Sequence, residues 1–125
     1  MIVGFGVDLM DVARVEDDRR KAGSDFGTGV FTAEERAYCE SQRYPSRHFA
    51  ARFAVKEAVF KAFGLGEGEG IAWNEIELAA EPGGSRRVVL HGHMEEIARS
   101  RGVATILVSL SHTATVAMAG VILER

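Results

Sequence analysis

The sequence predicts an α+β fold: a mostly antiparallel sheet packed on one long central helix, in the order β-α-α-α-β-β-α-β-β. Three observations lead there. The stretch "RFAVKEAVFKAFGLG", Arg52 to Gly66, is apolar around nearly its whole cylinder and ends at a glycine. The chain opens on one alternating segment and closes on two more. The strand-like segments after the long helix are joined by short turns, which implies antiparallel neighbours.

The elements follow in order. Ile2 to Leu9 alternates, with Val3, Phe5, Val7 and Leu9 on one face and Ile2, Gly4, Gly6 and Asp8 on the other. The second face is nearly bare, so another element can approach its backbone closely, and Asp8 stands at its end. Asp11 is placed to cap a polar helix running to about Ala22. "GSDFGTG" then breaks the chain. "TAEE", Thr32 to Glu35, has capping-box spacing and opens a helix ending near Arg43. Pro45 and Ser46 start the long helix, which runs to Phe63 with Gly64 as its C-terminal cap. "LGEGEG" reads as a flexible connection. Trp73 to Ala80 is a strand, "EPGGS" a turn, and Arg87 to His91 the returning strand. Met94 to Arg101 is a short helix closed by Gly102. Val103 to Ser111 and Thr115 to Leu123 are the last two strands, joined tightly at "HTA".

The chain has 125 residues, enough for one domain spanning 1–125 with a real core. Hydrophobic residues make up 46% and charged residues 26%, an ordinary globular balance. A formal net charge of −3 argues against nucleic acid as a partner, while leaving room for a local basic site. The single cysteine, Cys39, excludes an internal disulfide, fits a reducing compartment and reads as a packing residue. No basic leader and no apolar run of about 20 residues is present, so the expected location is cytoplasmic, without membrane association. His91 and His93, in "HGH", have no suggestively placed third ligand and read as loop surface.

The charged residues inside the long helix carry the functional argument. At about 100° per residue, Ala50, Phe53, Ala54 and Phe60 lie within about 60° of Glu57, and Lys61 is one turn further along the same stripe. A surface Glu–Lys pair is worth a few tenths of a kcal/mol and explains such spacing in an ordinary helix. Flanked by phenylalanines, the carboxylate calls for a stronger partner. A divalent cation is one, and Asp8, at the end of the glycine-bare strand, is the best second carboxylate. Magnesium takes one or two protein carboxylates together with substrate phosphates and water, which leaves Lys61 as a point charge for phosphate oxygen. Taken alone, these residues indicate a metal–phosphate site. A nucleotide-binding module without turnover and a small metal-dependent phosphohydrolase are both open at this point.

Three stretches resemble the holo-acyl-carrier-protein synthase family, the short phosphopantetheinyl transferases: "GVDLMDVARV" (Gly6 to Val15), "FAARFAVKEAVFKAFGLG" (Phe49 to Gly66) and "VSLSHT" (Val108 to Thr113). "FTAEE" and "WNEIEL" fit between them, so the similarity runs almost end to end. The resemblance implies the phosphopantetheinyl transferase fold and a specific reaction. Such enzymes move the 4'-phosphopantetheine arm of coenzyme A onto a serine of apo acyl carrier protein and release 3',5'-ADP. They use magnesium and form homotrimers with active sites between neighbouring subunits.

Carried onto this chain, the resemblance puts the metal on Asp8 and Glu57. It makes Glu57, Lys61 and Asp8 the catalytic group, with the serine proton passing to Glu57 or to a metal-bound water. It implies coenzyme A contacts from Lys61, Arg52, His112, Arg47, Gly64, Ser111 and Thr113. Arg14, on a first helix whose charges are otherwise mixed, matches the family's arginine and is the expected contact to the acidic carrier protein.

Overall fold

The computed structural model describes residues 1–66 and 69–125. Its elements are β1 (Ile2–Asp11), α1 (Val12–Ala22), a 3-10 turn at Gly23–Asp25, α2 (Ala33–Glu40), α3 (Pro45–Phe63), a 3-10 turn at Trp73–Glu75, β2 (Ile76–Ala80), β3 (Arg86–Leu90), α4 (Gly92–Ser100), β4 (Thr105–His112) and β5 (Val116–Glu124). This is the predicted α+β order. Of the expected connection from Leu65 to Gly70, residues 67 and 68 lie outside the described residues.

Of the boundaries that differ from expectation, two have clear local reasons. Helix α2 stops at Glu40 rather than near Arg43. The Ser41 hydroxyl donates to the Tyr38 carbonyl at 2.6 Å, and Pro45 disfavours helical geometry in the residue before it. Trp73–Glu75 forms a turn and the strand begins at Ile76, because the Glu75 carboxylate accepts from the Ala72 amide at 3.2 Å and curls the segment.

The strands form two sheets rather than one: a three-stranded sheet in the order β1-β5-β4 and the hairpin β2-β3, all antiparallel. Helix α3 lies between them. One side packs Ala54, Ala58 and Ala62 against Ala119, Val121 and Leu123 of β5. The same core continues through Ile76, Leu78, Val88, Met94 and Ala98 of the second layer. A second cluster joins Val12, Val15, Phe31, Cys39 and Phe49 around the start of α3. Burial pushes the Cys39 thiol up to about 12, so it packs as a small apolar group and is no thiolate nucleophile at neutral pH.

Strand β1 meets α3 at unusually short range because Gly4 and Gly6 face the helix. A Cβ at Gly6 would collide with the Ala58 carbonyl oxygen and lie 2.8 Å from the Ala62 amide nitrogen. A Cβ at Gly4 would strike the Ala62 carbonyl. That contact draws Asp8, two residues further along the same face, down beside α3. At the other end of the helix Gly64 takes φ +69°, a left-handed cap favourable for glycine.

The outer face of the three-stranded sheet is apolar and open. Phe5 is 71% exposed and Leu9 63%, and Val7, Leu107, Val116, Met118 and Ile122 share their side. Alternation along β1 and β5 leaves these residues outside because the opposite face already fills the contact with α3.

Candidate active site

Asp8 is 7% exposed in a register position opposite Ala119 of β5. One carboxylate oxygen, Oδ1, accepts from Lys61 Nζ at 2.8 Å, and the same ammonium donates to the Val7 carbonyl at 3.2 Å. The other, Oδ2, is buried and has no hydrogen-bond partner in the protein. Lys61 is half-exposed. The Asp8 hydrogen bond raises its pKa above the ordinary lysine value, and the Glu57 carboxylate raises it further through space. Glu57 and Lys61 also share the wall of one hollow with Phe60, Leu65, Gly66 and Trp73. Two residues from α3 and one from β1, more than 45 positions apart in sequence, therefore meet at one corner.

The donor set suits a hard divalent ion. Asp8 Oδ2 is an orphaned carboxylate oxygen of the kind a cation satisfies, and Glu57 supplies a second carboxylate on the adjoining helix face. Among the described residues, no three His, Cys, Asp or Glu side chains are gathered as a metal cluster. An ion here would thus depend on substrate and solvent oxygens to complete its shell, which is magnesium's usual habit in phosphate chemistry.

The remaining residues singled out in the sequence fall elsewhere. Arg52 is 2% exposed, with its guanidinium over the Tyr38 ring of α2 at 4.3 Å. His112, the last residue of β4, meets the His48 ring edge-to-face at 5.0 Å. Arg47 lies over the Tyr44 ring at 4.1 Å. Burial lowers the His48 pKa, and the positive charges of His112, Arg52, Arg86 and Arg47 lower it further. Ser111 is exposed beside His112, whereas the Thr113 hydroxyl is spent inside the turn, accepting from the Thr115 and Val116 amides at 3.2 and 3.1 Å. Gly64 caps α3 next to Lys61, and Arg14 projects into solvent from α1. His91 bonds to Glu77 at 2.8 Å and His93 contacts Glu96 at 3.4 Å, so each belongs to a separate surface pair.

One pair escaped the sequence reading. Lys56 is fully buried and bonds to Glu35 at 2.7 Å, while also donating to the Ile76 carbonyl. Glu35 closes the capping box at Thr32 and in addition accepts from the Leu78 amide at 3.0 Å. Desolvation lowers the Lys56 pKa, with the Glu35 carboxylate opposing it. A signal existed: on the wheel Lys56 falls within about 40° of Phe49, Phe60 and Phe63, an arc with no room for an unpaired ammonium.

Comparison with known proteins converges on one family. The profile of the 4'-phosphopantetheinyl transferase superfamily matches residues 4–117. A relative from Koribacter versatilis named holo-[acyl-carrier-protein] synthase is 40% identical over 124 residues, 99% of each chain. The crystal structure of the holo-[acyl-carrier-protein] synthase from Neisseria meningitidis superposes with a TM-score of 0.90 at 26% identity, over the whole of both chains. That of the Helicobacter pylori enzyme in complex with coenzyme A gives 0.83 at 25% identity, over 96% of this chain and 99% of the other.

Proposed function

Since the chain belongs to the 4'-phosphopantetheinyl transferase superfamily, we propose that it is a holo-[acyl-carrier-protein] synthase, transferring the 4'-phosphopantetheine of coenzyme A to a serine of apo acyl carrier protein and releasing 3',5'-ADP. The observation that carries this reading to the residues is the convergence of Asp8, Glu57 and Lys61 at one corner, with a carboxylate oxygen left over.

In the proposed reaction the serine oxygen bonds to the phosphorus next to the pantetheine. The bond from that phosphorus to the bridging oxygen breaks, and the electron pair leaves on 3',5'-ADP. Magnesium, when bound by Asp8 and Glu57, supplies Lewis-acid polarisation of the pyrophosphate. Lys61 sets a fixed positive charge beside the reacting phosphoryl group, where charge stabilisation and positioning do most of the work of phosphoryl transfer. Asp8 holds that ammonium in place through its Oδ1 bond. Glu57, the partly exposed carboxylate on the hollow's wall, is the chain's own acceptor for the serine proton. Arg52, Arg47, His112, Ser111 and Gly64 are proposed contacts along coenzyme A, with Thr113 shaping the turn that presents His112. Arg14 is proposed to meet the acidic carrier.

A homotrimer is the proposed assembly. Its support is the open apolar face where Phe5, Val7 and Leu9 of β1 stand beside the exposed Met118 and Ile122 of β5, the kind of contiguous apolar surface that marks an interface. We place the reaction in the cytoplasm, which the free, buried Cys39 fits. No helix among the described residues is long and apolar enough to cross a membrane.

The test is incubation with apo carrier protein, coenzyme A and magnesium, read by intact mass. One phosphopantetheine should be added per carrier, and Asp8→Asn should slow the addition about 10²–10³-fold without shifting the melting temperature downward by more than a few degrees. No adduct with any divalent ion would overturn the transferase reading. Near-normal turnover of Asp8→Asn at low magnesium would overturn the metal assignment alone.

A further inference from the structure

Helix α3 ends two residues after Lys61, and its last carbonyls must find donors beyond the helix. The left-handed Gly64 meets part of that need. Its amide donates to the Lys61 carbonyl at 3.0 Å, and the Leu65 amide donates to the Phe60 carbonyl at 2.9 Å. The Phe63 carbonyl is taken by a residue that no motif of the sequence includes. Arg101, just past the end of α4, donates to it from Nη1 at 2.6 Å, with the same guanidinium over the Phe63 ring at 5.7 Å.

Arg101 is itself anchored. Its amide donates to the Ile97 carbonyl at 3.1 Å, closing α4. Its carbonyl accepts from Arg125 Nε and Nη2 at 3.2 and 3.1 Å. Arg125 directly follows β5, and its amide donates to the Met1 carbonyl at 2.9 Å, extending the pairing of β5 with β1. The sheet that carries Asp8 therefore also grips, through Arg125 and Arg101, the turn that carries Lys61.

That grip matters because of how Lys61 works. Its ammonium reaches from the last turn of α3 across to Asp8 Oδ1 and the Val7 carbonyl on β1. The side chain is half-exposed, so packing does not hold it, and its placement depends on where its backbone stands. Helix ends fray, and the final turn is the least restrained part of α3.

We propose that Arg101 is a positioning residue: by tying the Phe63 carbonyl to the β1–β5 sheet, it fixes the last turn of α3 and keeps Lys61 in register with Asp8 and the transferred phosphoryl group. This rests on the transferase reading, and it adds Arg101, with Arg125 behind it, to the residues that set the rate.

Arg101→Met keeps an apolar stem beside Phe63 and removes the donor. In the transfer assay it should lower kcat about 3–10-fold, with the KM for coenzyme A within about twofold. Arg101→Lys keeps a charged donor and should recover most of that loss. In a Lys61→Ala background, Arg101→Met should change the residual kcat by less than about twofold, because the side chain it positions is gone. A merely structural Arg101 would lower kcat equally in both backgrounds, and that result overturns the proposal. So does an Arg101→Met variant with unaltered kcat, or an Arg101→Lys variant as slow as Arg101→Met. Amide hydrogen exchange needs no turnover: Gly64 and Leu65 should exchange about 3–10-fold faster in Arg101→Met, and unaltered exchange overturns the clamp. If the unaltered protein transfers nothing, the transferase reading falls, and the exchange measurement then decides the clamp alone.

Discussion

Glu35→Ala is expected to destabilise the fold by about 3–5 kcal/mol, the cost of breaking a buried ion pair by deleting one member. The alanine would leave Lys56, fully buried, with an ammonium facing the Ile76 carbonyl and only the Glu77 carboxylate, with no hydrogen bond to it, as counter-charge. It would also strand the Leu78 amide and reopen the capping box at Thr32. All three losses fall on the seam where α2, α3 and β2 meet. A melting temperature lower by roughly 10–20 °C is the expected reading for a chain of this size. The control is the double variant Glu35→Leu with Lys56→Met, which removes both charges together and should recover most of the loss. A single variant that melts within about 2 °C of the unaltered protein would show that the pair contributes nothing net.

Gly6→Ala is expected to damage both stability and turnover, through geometry alone. The added methyl has no free space: it meets the Ala58 carbonyl and the Ala62 amide, both backbone atoms of a helix that cannot yield like a side chain. Strand β1 must lift from α3, at a cost of about 1–3 kcal/mol or more. Asp8 moves with the strand, so its 2.8 Å bond to Lys61 lengthens. A displacement of about 1 Å in a catalytic group can cost about 10²-fold in rate. The expected result is therefore a kcat reduced by about 10²-fold in a protein that still folds. A Gly6→Ala variant with unaltered kcat would show that the close approach of β1 does not set the position of Asp8.

These two sites also mark how far the sequence could be read. Local signals carried the elements well. The capping box at Thr32, Pro45 at the start of α3 and the left-handed Gly64 at its end are each decided within a few residues, and each is found where the spacing put it. The bare face of β1 was legible for the same reason, since two glycines and an alternating neighbour need no partner to be recognised. What pairs with β1 was not. Its partner β5 lies more than 100 residues away, and no local pattern announces that Asp8 sits opposite Ala119. The burial of Lys56 was hidden differently. A lysine reads as surface until its counter-charge is known, and Glu35 was already occupied in the reading by its role as a helix cap. The burial of Arg52 was hidden in the same way, because the Tyr38 ring beneath its guanidinium belongs to another helix.

The exposed ring and branched side chains of β1, β4 and β5 have a consequence for how sturdy this molecule is in solution. If three copies bury those faces against one another, part of the free energy of each fold is borrowed from its neighbours and scales with the logarithm of how much protein is dissolved. Dilution should then lower the melting midpoint steadily, while a chain that stands alone would melt at one temperature whatever its concentration.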